Sequence, residues 1–313
     1  MNIYQYIIRR LFYAIPILIG VTLLIFLLFN VVAGDPTLVL LGKYATAQQM
    51  AELRHELGLD RPLFVQYLDT LQSAFTLDFG RSWATKQHIA QMIKTGGAVS
   101  LTLSIPAFVI ASLAAIAIAL LAAFFRGTLL DRSLVVLSVI MMSISLLAYI
   151  LFGQWVLAYK LGWFEIAGYE YGFPDFIPYI ILPAIIWIVL SIGPDMRFYR
   201  TVMLDEVYQD YVRTARAKGL SYRVILFKHV LKNAMIPIIT NLVIQLPTLI
   251  LGALLIENFF GIPGLGSITL QAINNSDFPV IKAMTILSSV LYILFNIIID
   301  VLYTWVDPRV KLQ

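Results

Sequence analysis

Residues 98–125 contain no charged side chain. A helix needs about 20 apolar residues to cross a hydrocarbon layer about 30 Å thick. Comparable uncharged runs recur at 11–33, 134–159, 176–193, 236–256 and 283–299. No water is present at that depth to bond a backbone amide, so a spanning segment must satisfy its own polar groups, as a helix does. The pattern predicts an all-α polytopic membrane protein with six transmembrane helices. Composition agrees: the 313 residues are 60% hydrophobic and 13% charged, against roughly 25% charged in a soluble domain.

The same inventory excludes several chemistries. There is no cysteine, hence no disulfide, thiolate zinc site or cysteine nucleophile. The three histidines, His55, His88 and His229, are scattered and give no metal cluster. No Gly-x-x-x-x-Gly-Lys-Ser/Thr loop exists to cradle ATP phosphates. The runs lack the acids and bases that ion-coupled carriers use as relays and the carboxylate or metal site of an intramembrane hydrolase. No catalytic, cofactor or metal residue is expected. The net charge of +4 reads as topology bias in loops rather than as affinity for nucleic acid.

Arg9 and Arg10 precede the first run and place the N-terminus in the cytoplasm. A signal peptide would have an apolar region of about 7–15 residues; this run is longer and reads as an uncleaved anchor. Residues 34–97 carry six acids and six bases and read as a soluble periplasmic insertion. Within it, 47–57 is an amphipathic helix stopped by Gly58, and Pro62 starts another. The stretch 195–232 holds eight bases against four acids and is expected inside, where alternation of the spans also puts it. The remaining chain, 98–306, is read as a five-helix core, with 307–313 as a cytoplasmic tail.

Within the basic stretch, residues 205–237 predict a helix, a corner and a second helix returning to the membrane. Acids come early and bases late in the first helix, complementing its dipole. Gly219 suits a left-handed stop and Ser221 an N-cap. Val224, Phe227, Val230 and Leu231 fall on one apolar stripe. Ala215, Ala217 and Gly219 are small enough for another protein to approach the backbone. A basic loop lying on anionic lipid headgroups leaves the glycine corner and the small residues unexplained; a docking surface accounts for both.

The string Asp210-Tyr-Val-Arg-Thr-Ala-Arg-Ala-Lys-Gly-Leu220, followed by His229-Val-Leu-Lys-Asn-Ala-Met-Ile-Pro237, resembles the cytoplasmic EAA loop of ABC-importer permeases, closest to the dipeptide/oligopeptide/nickel transport family. Arg213-Thr214-Ala215 stands where the motif has Glu-Ala-Ala. The likeness extends along the chain through Arg9-Arg10-Leu11, Gly34-Asp35-Pro36, Leu57-Gly-Leu-Asp-Arg-Pro62, Asp78-Phe-Gly-Arg-Ser82, Phe260-Gly-Ile-Pro-Gly-Leu-Gly266 and Asp307-Pro-Arg-Val310. It implies a type I ABC-importer transmembrane domain (MetI-like) in the inner membrane. The chain would pair with a second homologous permease, two cytoplasmic ATPase subunits binding ATP and Mg, and an extracytoplasmic solute-binding protein. The implied ATPase-docking elbow is Tyr211, Arg213, Thr214, Ala215, Ala217, Lys218, Gly219 and Ser221. Glu257, Phe260, Gly261, Pro263, Gly264 and Gly266 are expected to form an outer gate or binding-protein contact. Ser143, Ser145, Asn241, Gln245 and Thr248 are candidate pathway lining, or else interhelical hydrogen-bonding groups. A channel or carrier working without an ATPase is the alternative.

Overall fold

The structure is a computed structural model that describes residues 3–32, 36–42 and 45–306. Gly34, Asp35 and the tail 307–313 lie outside the described residues. The chain is helical almost throughout. α1 (Ile3–Leu27) widens into a π-helical turn at Leu28–Val32 and is followed by the short α2 (Pro36–Leu41), α3 (Ala47–Glu56) and α4 (Leu63–Thr76). Thr46 and Gln49 form a reciprocal capping box at the start of α3, and Gly58 lies beyond its end at φ +67°. α5 (Ile89–Phe124), α6 (Leu129–Ser143), α7 (Leu146–Phe152, extended by π-turns through Lys160) and α8 (Ile177–Val207) follow. Then come α9 (Asp210–Ala217), α10 (Tyr222–Val224), π-turns at Ile225–Val230, α11 (Leu231–Leu251), α12 (Leu254–Phe259), α13 (Leu265–Asn274) and α14 (Phe278–Val306).

Among the described residues, five helical stretches are long and apolar enough to span: Ile8–Asn30, Ile89–Phe124, Ile177–Val207, Tyr222–Phe259 and Phe278–Val301. The third expected span is not straight. It breaks between α6 and α7 with a bend of 90°. Ile144 is extended there, and Ser145 starts a new helix by accepting a bond from the Ala148 amide at 3.2 Å. Helix ends also depart from the hydropathy boundaries. α5 begins at Ile89 rather than 98, α8 runs on to Val207 rather than stopping at 193, and α14 begins at Phe278 rather than 283.

The extension of α8 corrects the expectation that the spans lack ionisable groups: Asp195 lies within this span-length helix. Asp195 is accommodated because Asn241 and Gln245 of α11 donate to its Oδ1 at 3.2 and 3.3 Å, while Asn241 also reaches Tyr199 Oη at 3.2 Å. The polar groups of α11 thus join two spans.

The packing is built on small residues. Ala107, Ala111, Ala115, Ala119 and Ala123 recur every fourth position on α5 and are fully or nearly fully buried. One helix face without bulk lets α8 approach closely, which is how helices associate in lipid. Near the α5–α6 turn, Arg200 of α8 donates from Nε and Nη2 to Asp131 Oδ1 and Oδ2 at 2.7 and 2.9 Å, and the Gly127 amide adds a third donor at 3.0 Å. The Asp131 side chain is 5% exposed. Removing one partner of such a pair strands the other charge, at a cost of about 3–5 kcal/mol. Arg200→Ala is therefore expected to lower the thermal unfolding midpoint of the detergent-solubilised protein sharply. The double change Arg200→Met with Asp131→Leu, which strands no charge and only the Gly127 amide, should recover most of the loss; a loss as large as in the single variant would refute the pairing argument.

Candidate functional site: the elbow and the carboxylate cage

The elbow forms where expected. α9 ends in a reciprocal closure: the Leu220 amide bonds the Ala215 carbonyl (3.3 Å) and the Gly219 amide bonds the Arg216 carbonyl (2.9 Å), with Gly219 at φ +78°. This six-residue geometry requires a left-handed residue at its corner, which glycine adopts without penalty. Ser221 has N-cap backbone angles but makes no side-chain cap bond. From Tyr222 the helix continues without interruption into α11.

Two faces separate along this segment. Val212, Ala215, Ile225, Leu226, Val230, Ala234 and Ile238 are buried in one core with Ala119, Ala122, Met196, Tyr199, Met203 and Val207. The elbow is thus packed onto α5, α8 and α11. Tyr222 donates to the Ala123 carbonyl at 3.1 Å, and the Arg126 guanidinium sits 4.6 Å from the Tyr208 ring centroid. Tyr211 is half-buried and bonds Glu206 at 2.5 Å; burial first, then the Glu206 carboxylate, push its phenol up to about 12, so it remains a donor. Of the residues named for docking, Arg213, Thr214, Ala217, Lys218, Gly219 and Ser221 are exposed, whereas Ala215 and Tyr211 turn inward and brace the elbow. The expected stripe divides as well: Val224 and Phe227 are 41% and 57% exposed, and Ile225 and Leu226 take the buried face with Val230. The π-turns here shift the helical phase that a 3.6-residue period assumes.

At the other end of the core, the glycine-rich segment is interior rather than a surface loop. Glu257 is 0% exposed. Its Oε2 accepts from the amides of Gly266 (2.8 Å) and Ser267 (3.2 Å), and its Oε1 from Ser100 Oγ (2.8 Å) and the Ala253 amide (3.2 Å). Ser100 Oγ in turn accepts from the Leu265 amide at 2.8 Å. A buried carboxylate needs donors in place of water, and four surround this one. The glycines make room for it. A Cβ on Gly264 would overlap the Glu257 carboxylate, and one on Gly266 would stand 2.7 Å from the Leu254 nitrogen and 2.8 Å from the Ala253 carbonyl carbon. Phe260 is buried, and residues 166–168 lie over the segment, with the Gly168 amide bonding the Phe260 carbonyl at 2.8 Å. Glu257, Phe260, Gly264 and Gly266 therefore face inward; Gly261 is exposed and Pro263 partly so.

The candidate lining residues make hydrogen bonds within the protein. Ser143 bonds its own helix through the Val139 carbonyl, Thr248 bonds the Gln245 carbonyl, and Asn241 and Gln245 belong to the Asp195 network. Ser100 and Asp195 were not legible as site residues, since each is defined by partners on distant helices. Among the described residues, no three His, Cys, Asp or Glu side chains converge in a way that could hold a metal.

Residues 115–312 match the family described as binding-protein-dependent transport system inner membrane component, and residues 3–104 match its N-terminal companion. The chain is 35% identical to the probable peptide ABC transporter permease protein y4tP of Sinorhizobium fredii, over 98% of this chain and 99% of that protein. It is also 35% identical to the di/tripeptide transport system permease protein DppB of Pseudomonas aeruginosa, over 99% of each. The same identity holds for the oligopeptide transport system permease protein AppB of Bacillus subtilis, over 98% of this chain and 99% of that one. The chain therefore belongs to the binding-protein-dependent transport system inner membrane component family and is a permease subunit of an ABC importer.

Proposed function

We propose that this permease carries small peptides inward, pairing with a second permease around the pathway, receiving solute from an extracytoplasmic binding protein and taking its drive from two ATPase subunits on the elbow side. Peptide cargo is the reading that the named substrates of the full-length relatives support. ATP and Mg belong to the ATPase chains in this reading, and the permease contributes no catalytic group. The bases at Arg9, Arg10 and along 197–232 favour a cytoplasmic elbow and cytoplasmic termini.

The observation that carries the mechanism is the two-faced elbow. Its inner face is packed into the core shared by α5, α8 and α11, so a displacement of α9 is delivered to three spans together. Its outer face offers Arg213, Thr214, Ala217, Lys218, Gly219, Ser221 and the apolar Val224 and Phe227 to a partner. ATP-dependent closure of that partner would bias inward-open against outward-open arrangements through its different contacts with the elbow in each. The glycine-rich segment, held by the Glu257 cage, would act as the fixed inner wall of an outer gate. Its burial favours that role over direct contact with the binding protein.

The test is uptake of a labelled dipeptide or tripeptide into liposomes holding the complete importer. Accumulation is expected only with ATP, both ATPases and the binding protein. Peptide flux through the permease chains alone would overturn this reading in favour of a channel or carrier.

A further inference from the structure

We propose that a cavity between the 36–88 segment and the first and last spans binds the headgroup of an anionic phospholipid, with Lys282 as its counter-charge. The cavity has a volume of about 440 Å³, within the size range of small-molecule sites. Its aromatic wall is Phe29, Trp83 and Phe278, whose rings contact one another at centroid distances of 5.4 Å (Phe29–Phe278) and 5.9 Å (Trp83–Phe278).

The polar side is held in place by a relay. Lys282 Nζ donates to Asn30 Oδ1 at 2.6 Å, Asn30 Nδ2 donates to Gln66 Oε1 at 2.7 Å, and Gln66 Nε2 donates to the carbonyls of Leu59 and Arg61 at 3.1 and 2.7 Å. An ammonium has three N–H donors. Among the described residues Lys282 uses one of them, and no carboxylate lies within ion-pair distance. One acid, Asp60, lines the cavity, and it is engaged by His55 at 2.7 Å; Asp69 faces Arg61 at 3.5 Å. A partly buried cation with spare donors beside aromatic surface is the complement of an anion with an apolar body.

Depth selects lipid as its source. The spans that flank the cavity, Ile8–Asn30 and Phe278–Val301, have their ends at Asn30 and Phe278. At the far ends of α1 and α14, Arg10 pairs with Asp300 at 2.8 Å. Lys282 and Asp300 are 300 − 282 = 18 residues apart on α14, or about 27 Å at 1.5 Å per residue. That separation is close to the hydrocarbon thickness of about 30 Å, so Lys282 lies at a headgroup boundary. Beside the cavity mouth, α4 leaves Leu63, Phe64, Leu68 and Phe75 exposed, and α1 leaves Leu23, Leu24 and Leu27 exposed. An amphipathic helix with such a face lies in the membrane interface, and the row on α1 gives acyl chains a surface to follow.

The test uses the full chain, purified in detergent with added phosphatidylglycerol or phosphatidylcholine, and native mass spectrometry to count retained lipid. Retention of phosphatidylglycerol is expected to exceed that of phosphatidylcholine, to fall at least tenfold in Lys282→Met and to be kept in Lys282→Arg. Leu63→Gln at the exposed mouth, which leaves the core untouched, should lower retention severalfold if the lysine variant does not fold. Equal retention by the wild type and both weakening variants overturns the proposal. Thermal stabilisation by soluble glycerol 3-phosphate that equals stabilisation by phosphatidylglycerol also overturns it, because the site would then be one for free anions.

Discussion

Gly266→Ala is expected to leave little folded permease in the membrane. The added methyl would meet backbone atoms of Ala253 and Leu254 at 2.7–2.8 Å, closer than any packed carbon sits, and neither atom is on a side chain that could swing away. Relief requires α12 and α13 to separate, which also pulls the Gly266 and Ser267 amides off Glu257. The companion change Glu257→Ala removes the acceptor instead. It strands the amides of Ala253, Gly266 and Ser267, and a buried donor without a partner costs about 1–3 kcal/mol. Three such donors approach the whole stability of many domains, about 5–15 kcal/mol. Glu257→Gln keeps one oxygen and should fall between. The measurement is the yield of monodisperse protein after solubilisation and its thermal midpoint. Gly20→Ala is the control: Gly20 lies in α1 with nothing within 4 Å of an added Cβ, and alanine there should be neutral or slightly favourable. If Gly266→Ala behaves like Gly20→Ala, the cage is not what holds this end of the core together.

The spans and the elbow were legible in the sequence because their signals are local. A membrane core admits few charges, positive loops report their side, and a left-handed corner calls for glycine at position 219. What escaped notice depends on partners far along the chain. Asp195 looked like the first residue of a loop because an acid next to an apolar run normally ends it. Its acceptors' donors, Asn241 and Gln245, are 46 and 50 positions away, and they let α8 continue. Arg200 stays on the same helix for the same reason, its carboxylate lying 69 positions away at Asp131. The bend at Ile144 and Ser145 has neither glycine nor proline to announce it. The Phe260–Gly266 segment was recognisable as a motif, but a carboxylate filling the space its glycines leave is a tertiary fact. Val224 and Phe227 of the expected stripe stay exposed while Val230 is buried, because a π-turn advances the chain by a different angle than the period used to find the stripe.

Gly219→Asp is expected to separate ATP hydrolysis from uptake while the permease still inserts and assembles. Inside this chain the change is mild. Gly219 is exposed, and an added Cβ meets nothing within 4 Å. Its φ of +78° disfavours most side chains, yet aspartate and asparagine tolerate that region best among non-glycine residues, so the strain is on the order of 1 kcal/mol. α9 remains anchored by Val212 and Ala215. The consequence must therefore fall on whatever docks there, through an added negative charge at an exposed point of a basic corner. Coupling between sites is typically about 1–3 kcal/mol, so losing it should reduce uptake by roughly 5–150-fold at unchanged permease levels. Gly219→Asn imposes the same backbone demand without the charge and should retain more uptake than Gly219→Asp, which separates disturbed docking from a disturbed corner. Peptide uptake and ATP consumption are measured together in the reconstituted importer. Hydrolysis that persists while uptake falls supports a docking elbow; wild-type uptake in Gly219→Asp would mean that the partner does not press on this corner.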